Sequence, residues 1–150
     1  MLVSSDNEMR PAYAEVPCIG REDERAAIGG HLDRGCRLLT LWGFAGVGKS
    51  CLAISAAREC TASFPGGVYV CDLSDARDMQ ELIALVAATL DVPLTHGKPA
   101  QRVQDALRAR GRVLLVMDNV ERVALALSEL VSRWLLAAPT LSLWVTSREA

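Results

Sequence analysis

The chain has 150 residues, 51% of them hydrophobic, and a formal charge of −2. That suits one domain with a real core and excludes the strongly basic footprint of a nucleic-acid-binding segment. No apolar run approaches the roughly 20 residues needed to cross a bilayer, and Met1–Arg10 carries Asp6 and Glu8 where a secretory signal needs an apolar stretch. The five cysteines, Cys18, Cys36, Cys51, Cys60 and Cys71, are odd in number and lack C-x-x-C spacing. They read as small buried hydrophobes in a reducing cytosol, so a cytoplasmic location is expected. His31 and His96 are isolated and are expected at surface or loop positions.

Residues 1–16 are polar and read as a flexible arm, with a domain following over 17–150. Cys18-Ile19-Gly20-Arg21-Glu22 forms a short extended entry to a charged helix that ends by Gly35. Arg37–Trp42 is an apolar run suited to a buried parallel strand. It leads into GFAGVGKS, Gly43 to Ser50, which satisfies the phosphate-binding pattern G-x-x-x-x-G-K-[ST] called Walker A. The glycines let backbone N–H groups close on phosphate oxygens at the positive end of a helix. Lys49 supplies a charge for the β- and γ-phosphates, and Ser50 a hydroxyl for Mg²⁺. Lys49 and Lys98 are the only lysines in an arginine-rich chain, so a lysine here is hard to ascribe to composition.

The helix after the loop, packed through Leu52, Ala53, Ala56, Ala57 and Cys60, is expected to stop near Phe64-Pro65-Gly66-Gly67. Val68–Leu73 is a second strand. Asp78 and Glu81 form an Asp-led capping box for a helix packed through Met79, Leu82, Ile83, Val86 and Leu90. A loop over 91–99 and a shorter helix with Val103, Ala106 and Leu107 on one face follow, ending at Gly111. Arg112–Met117 is then an uninterrupted apolar strand running into Asp118-Asn119. An apolar strand closing in Asp is the Walker B pattern, whose carboxylate joins the Mg²⁺ shell. Asp118 lies 118 − 49 = 69 residues after the P-loop lysine. A helix over 122–137 and a fourth strand, Leu141–Val145, end in Thr146-Ser147-Arg148-Glu149. Arg148, at the strand end that faces the ligand crevice of α/β sheets, is a candidate γ-phosphate sensor, and an ordinary polar exit from the strand is the alternative.

Ile19-Gly20-Arg21-Glu22, GFAGVGKS, LLVMDNVERV and Val145-Thr146-Ser147-Arg148-Glu149, in this order, resemble the nucleotide-binding domain of STAND-class P-loop ATPases. Relatives of that class include NB-ARC domains and the AAA+-like ATPase modules of large bacterial transcriptional regulators. The resemblance covers about residues 18–149. It implies an α/β three-layer P-loop NTPase core with a mainly parallel sheet of about four strands, the fourth lying between the Walker A and Walker B strands. It implies that ATP or ADP sits with Mg²⁺ against Ile19, Gly20 and Arg21 on the adenine side. The loop residues Gly43, Phe44, Ala45, Gly46, Val47 and Gly48 would hold the phosphates, with Lys49, Ser50 and Cys51 at the helix start. Ser50 and Asp118 would be the metal ligands, and Lys49, Asp118, Asn119 and Arg148 the residues at the reacting phosphate. The implied partners are the nucleotide and other domains or protomers of a larger regulator, without membrane or direct nucleic-acid contact.

Two departures qualify this picture. Vigorous ATPases place a Glu directly after the Walker B Asp; here Asn119 can orient a water but cannot accept its proton, and Glu121 is the candidate substitute. Slow turnover is expected. The family's fifth strand is also missing, so the chain reads as cut after the sensor strand, with the P-loop strand left at a sheet edge. Two other functions fit less of the sequence: a small kinase using Arg102, Arg108, Arg110 and Arg112 as a lid, and a remnant that keeps the loop without using it.

Overall fold

The computed structural model describes residues 18–148; the arm expected over 1–16 and Glu149 lie outside them. Four strands, β1 (Leu38–Trp42), β2 (Val68–Asp72), β3 (Leu114–Asp118) and β4 (Ser142–Ser147), form one sheet in the order β1-β4-β3-β2. All three pairings are parallel. Every β-to-β connection therefore crosses over through helix, as parallel pairing demands. The expected insertion of the fourth strand between the Walker A and Walker B strands is present, and β1 stands at an edge of this sheet.

The helices are α1 (Glu22–Asp33), α2 (Lys49–Glu59), α3 (Met79–Thr89), α4 (Pro99–Arg110) and α5 (Ala124–Ala137). Alternation along the strands divides the core into two clusters. Leu115, Met117, Leu143 and Val145 face α3, α4 and α5, while Leu114, Val116 and Trp144 face α1 and α2. That is the three-layer α/β architecture expected from the sequence. Each fully buried leucine contributes about 2–3 kcal/mol through removal of apolar surface from water.

Several boundaries move for local reasons. α2 ends at Glu59, earlier than the glycine pair suggested, and a 3₁₀ turn over Thr61–Ser63 absorbs the remainder. α4 begins at Pro99, which the sequence had placed in the loop, because a proline at the first helical position lacks only an N–H that would be unpaired anyway. With 12 residues α4 is no shorter than α3, which has 11. β4 runs on through Ser147, so Thr146 and Ser147 belong to the strand. The Asp78 cap holds: its carboxylate accepts from Glu81 N at 2.9 Å, while Glu81 reaches back to Arg77 N at 2.8 Å. The cysteines are less hidden than expected, since only Cys71 is buried and the other four are half-buried.

Two residues lock the frame beneath the site. Arg37 donates to Leu135 O, Ala138 O and Leu141 O at 2.6–3.0 Å, satisfying carbonyls at the end of α5 and fastening β1 to β4. Gly66 passes so close to the α4–β3 connection that a Cβ would lie 2.3 Å from Arg110 O. Any side chain there would displace backbone.

Candidate functional site

The C-terminal ends of the four parallel strands gather the candidate residues at one edge of the sheet. β1 delivers the chain into the loop 43–48, and α2 leaves it at Lys49. Gly48 precedes α2 at φ +80°, a left-handed conformation that costs a side-chain-bearing residue about 1–2 kcal/mol. A Cβ there would also lie 3.2 Å from Arg21 Nη1, a tight contact that the guanidinium would have to relieve by a small shift. The first-turn N–H groups of α2 have no partner within the helix and lie at its positive end. Phe44, Ala45, Gly46 and Val47 form an exposed rim. Lys49 Nζ donates to Gly43 O at 2.6 Å and Phe44 O at 2.9 Å, so its ammonium closes back over the loop.

Below the rim lies a buried polar knot. Ser50 Oγ donates to Asp118 Oδ1 at 2.7 Å, although 68 residues separate the two. Asp118 is 2% exposed and also accepts from the Thr146 hydroxyl and, at 3.2 Å, from Asn119 Nδ2. These donors are neutral hydroxyl and amide groups, and they set the buried carboxylate beside a hydroxyl oxygen. Hydroxyl and carboxylate oxygens are the hard ligands Mg²⁺ prefers, so the donor set fits that ion. Thr146 Oγ1 in turn accepts from Asn119 N at 3.1 Å. Asn119 holds φ +61°, a region that Asn enters more readily than most residues. Its amide also donates to Asp72 Oδ1 at 3.2 Å, because Asp72 and Asp118 are register partners on β2 and β3.

Arg148 follows Ser147, whose carbonyl accepts from Gly43 N at 3.3 Å, so β4 ends against the first glycine of the loop. Glu121 Oε1 accepts from Arg148 N at 2.6 Å and lies 3.5 Å from its Nε. The carboxylate considered as a substitute base is thus engaged with Arg148. On the other flank, Ile19 and Gly20 form an exposed turn before α1, and Arg21 Nη1 donates to Val47 O at 2.5 Å. Arg25 continues the link, bonding Cys18 O, Ser55 Oγ and Glu59. Cys51 lies in the first turn of α2, half-buried. The structure therefore brings Ser50, Asp118 and Asn119 together, while Lys49 folds over the loop, Arg148 is held by Glu121 and the Ile19–Arg21 turn is tied to Val47.

Two participants escaped the sequence reading. Asp72 appeared only as a strand residue and Thr146 only within a polar triplet. A carboxylate closing β2 beside Asp118 could have been found once the strand order was assumed. The Arg102–Arg112 segment does not form a free arginine face: Arg110 donates to Leu90 O and Tyr69 Oη, and Arg112 lies over the Phe64 ring.

The sequence pattern of the AAA domain matches residues 32–145, well over half of the chain. The chain belongs to the AAA domain family. It is 32% identical over 114 residues to an uncharacterized protein of Mycobacterium tuberculosis, a match covering 76% of this chain and 29% of that protein. It is 34% identical over 116 residues to a protein of the same organism provisionally named an HTH-type transcriptional regulator, covering 75% of this chain and 13% of the relative. The match thus spans less than a third of either relative. Among solved structures, Cdc6p of Pyrobaculum aerophilum superposes with a TM-score of 0.74 at 18% identity, covering 93% of this chain and 41% of that one. The Walker-type ATPase of Pyrococcus abyssi gives 0.58 at 18% identity, covering 85% and 44%. Both share the fold of this AAA-type P-loop ATPase domain, a family that as a rule binds nucleotide with Mg²⁺. Among the described residues no helix is long and apolar enough to cross a membrane.

Proposed function

We propose that this domain, taken as residues 17–150, is a STAND-type switch that binds ATP or ADP with Mg²⁺ and hydrolyses ATP slowly, within a longer cytoplasmic regulator. The observation that carries the reading is the Ser50–Asp118 hydrogen bond, which sets the hydroxyl of the glycine-loop helix against the acid of β3. In this reading Gly43 to Cys51 cradle the phosphates, with Lys49 exchanging its two carbonyl partners for phosphate oxygens. Ser50 and Asp118 would hold Mg²⁺, which supplies charge neutralisation at the phosphates when bound. The Ile19-Gly20-Arg21 turn would contact the base and ribose. Arg148 would report the γ-phosphate, its guanidinium leaving Glu121 to do so.

Slow hydrolysis follows from Asn119 and Glu121. Asn119 can orient a water, but its amide donates to Asp72 and Asp118 and has no basic site for the proton. Glu121 is held by Arg148. The link to transcription draws on the regulator among the relatives and concerns the longer protein.

Calorimetric titration with ATP and ADP, with and without Mg²⁺, tests this reading. Tight binding of ATP that weakens without Mg²⁺ is expected. Lys49→Ala should weaken binding at least roughly 100-fold, since charged hydrogen bonds of about 1.5–3 kcal/mol are lost. Wild-type affinity in a folded Lys49→Ala chain would overturn the mechanism.

A further inference from the structure

Among the described residues seven large hydrophobic side chains are exposed. Ile19, Phe44 and Val47 belong to the glycine loop and its flanking turn, and Leu38 and Trp42 to the open edge β1. Leu125 and Leu136 of α5 belong to neither, yet they are 87% and 84% exposed. They are 136 − 125 = 11 positions apart. That is close to three turns of helix, so they lie along one line about 16 Å apart. The exposed residues between them, Ser128, Glu129, Ser132 and Arg133, complete that outer face. Charge is unevenly placed around the line. At about 100° per residue, Glu129 and Arg133 fall on one side of it, and Ala124 and Ser128 on the other. Among the described residues neither Glu129 nor Arg133 has an ion-pair partner within the chain.

We propose that a second copy of this chain packs on this face, α5 against α5, antiparallel about a two-fold axis midway between Leu125 and Leu136. That axis lays Leu125 of each copy against Leu136 of the other, as an isologous contact requires. It also sets the charged side of one helix against the charged side of its partner, running the other way. Glu129 then comes level, within about one residue, with the partner's Arg133, and the match occurs twice. A parallel pair would instead face the charged side to Ala124 and Ser128 and leave the charges unmatched. Ser132, between the leucines, is small enough to let the two helices approach. Four leucines leave water in this contact, while the exposed charge pairs set orientation more than affinity. An interface of one helix pair is small, so the dimer is a weak one that forms at high protein concentration. The groove beside β1 lies on the Ser128 side of α5, so this face is distinct from the sheet edge. The pairing requires no nucleotide.

Sedimentation equilibrium of the full chain at high protein concentration tests this, with circular dichroism confirming that each variant is folded. A monomer–dimer equilibrium is expected. Leu125→Asp and Leu136→Asp should each raise its dissociation constant at least about 10-fold, because an unpaired carboxylate would face a leucine. Glu129→Arg alone and Arg133→Glu alone should each weaken the dimer by bringing like charges together, and the two combined should restore it. Thr40→Lys, on the β1 edge, should still dimerise. A chain that stays monomeric throughout would leave the leucines to some other partner and would overturn the proposal. So would a dimer that both aspartate variants retain at full strength, or one that Thr40→Lys abolishes, since the contact would then lie on β1. Single charge reversals that weaken the dimer without recovery in the exchanged pair would overturn the antiparallel register.

Discussion

Strands β1 and β3 have five residues each and read almost alike, Leu-Leu-Thr-Leu-Trp against Leu-Leu-Val-Met-Asp. Yet β3 is buried at all five positions, whereas β1 exposes Leu38, Thr40 and Trp42 in strict alternation. The cause is their neighbours. β3 lies between β2 and β4 with helices over both faces, while among the described residues β1 pairs with β4 alone and packs mainly through Leu39 and Leu41. Beside Leu38 and Thr40 a groove of about 410 Å³ remains open, walled by Val120, Leu127, Val131 and Val145. The two strands also carry different halves of the site. β3 fixes the carboxylate rigidly inside the sheet, and β1 presents the glycine loop at an accessible rim. The arrangement separates the part that must not move from the part that must admit a ligand.

Removing bulk from the centre gives the largest expected effect. Leu115→Ala should cost about 2–5 kcal/mol, the range for a leucine truncated in a closed core, because Leu115 is fully buried among α3, α4 and α5. Denaturant melts would show this, and Leu38→Ala on the half-exposed edge should cost less than about 1 kcal/mol. Equal losses at the two positions would mean that the edge is covered in solution and would break the contrast.

A smaller effect, at the polar end of β3, sharpens the same contrast. Thr146→Val keeps the shape of a buried residue but removes its hydroxyl, which donates to Asp118 and accepts from Asn119 N. Leaving buried partners unpaired should cost about 1–3 kcal/mol. In the proposed function it should also weaken Mg²⁺-dependent binding more than metal-free binding. A stability loss with the Mg²⁺ dependence intact would assign Thr146 to the fold alone.

Much of this was legible in the residues. The glycine loop, the Asp118 strand and the Asp78 cap carry local chemistry, and each appears where its spacing placed it. Other features depend on contacts that no window of sequence contains. Thr146 and Asp72 matter because β4 and β2 flank β3, and a threonine near a strand end looks the same beside any neighbour. The strand order came from the family resemblance, since LLTLW and LLVMD are equally apolar. The half-buried position of Cys18 depends on its segment folding back on α2, which follows from Arg21 and Arg25 finding partners 26 and 30 residues away.

The smallest expected effect on stability tests the open edge most directly. β1 carries neither charge nor proline, the usual means by which exposed edges avoid pairing with other chains. Thr40 is exposed on that strand and faces the groove. Thr40→Lys should therefore leave stability within about 0.5 kcal/mol, as surface substitutions usually do. It should also set a charge against any strand that approaches. Sedimentation over a range of protein concentrations should show the unmodified chain associating and the variant associating less. If both remain monomeric at high concentration, the edge is already shielded, and the difference between β1 and β3 is one of burial only. If instead the variant loses several kcal/mol, Thr40 is packed in solution and β1 resembles β3 after all.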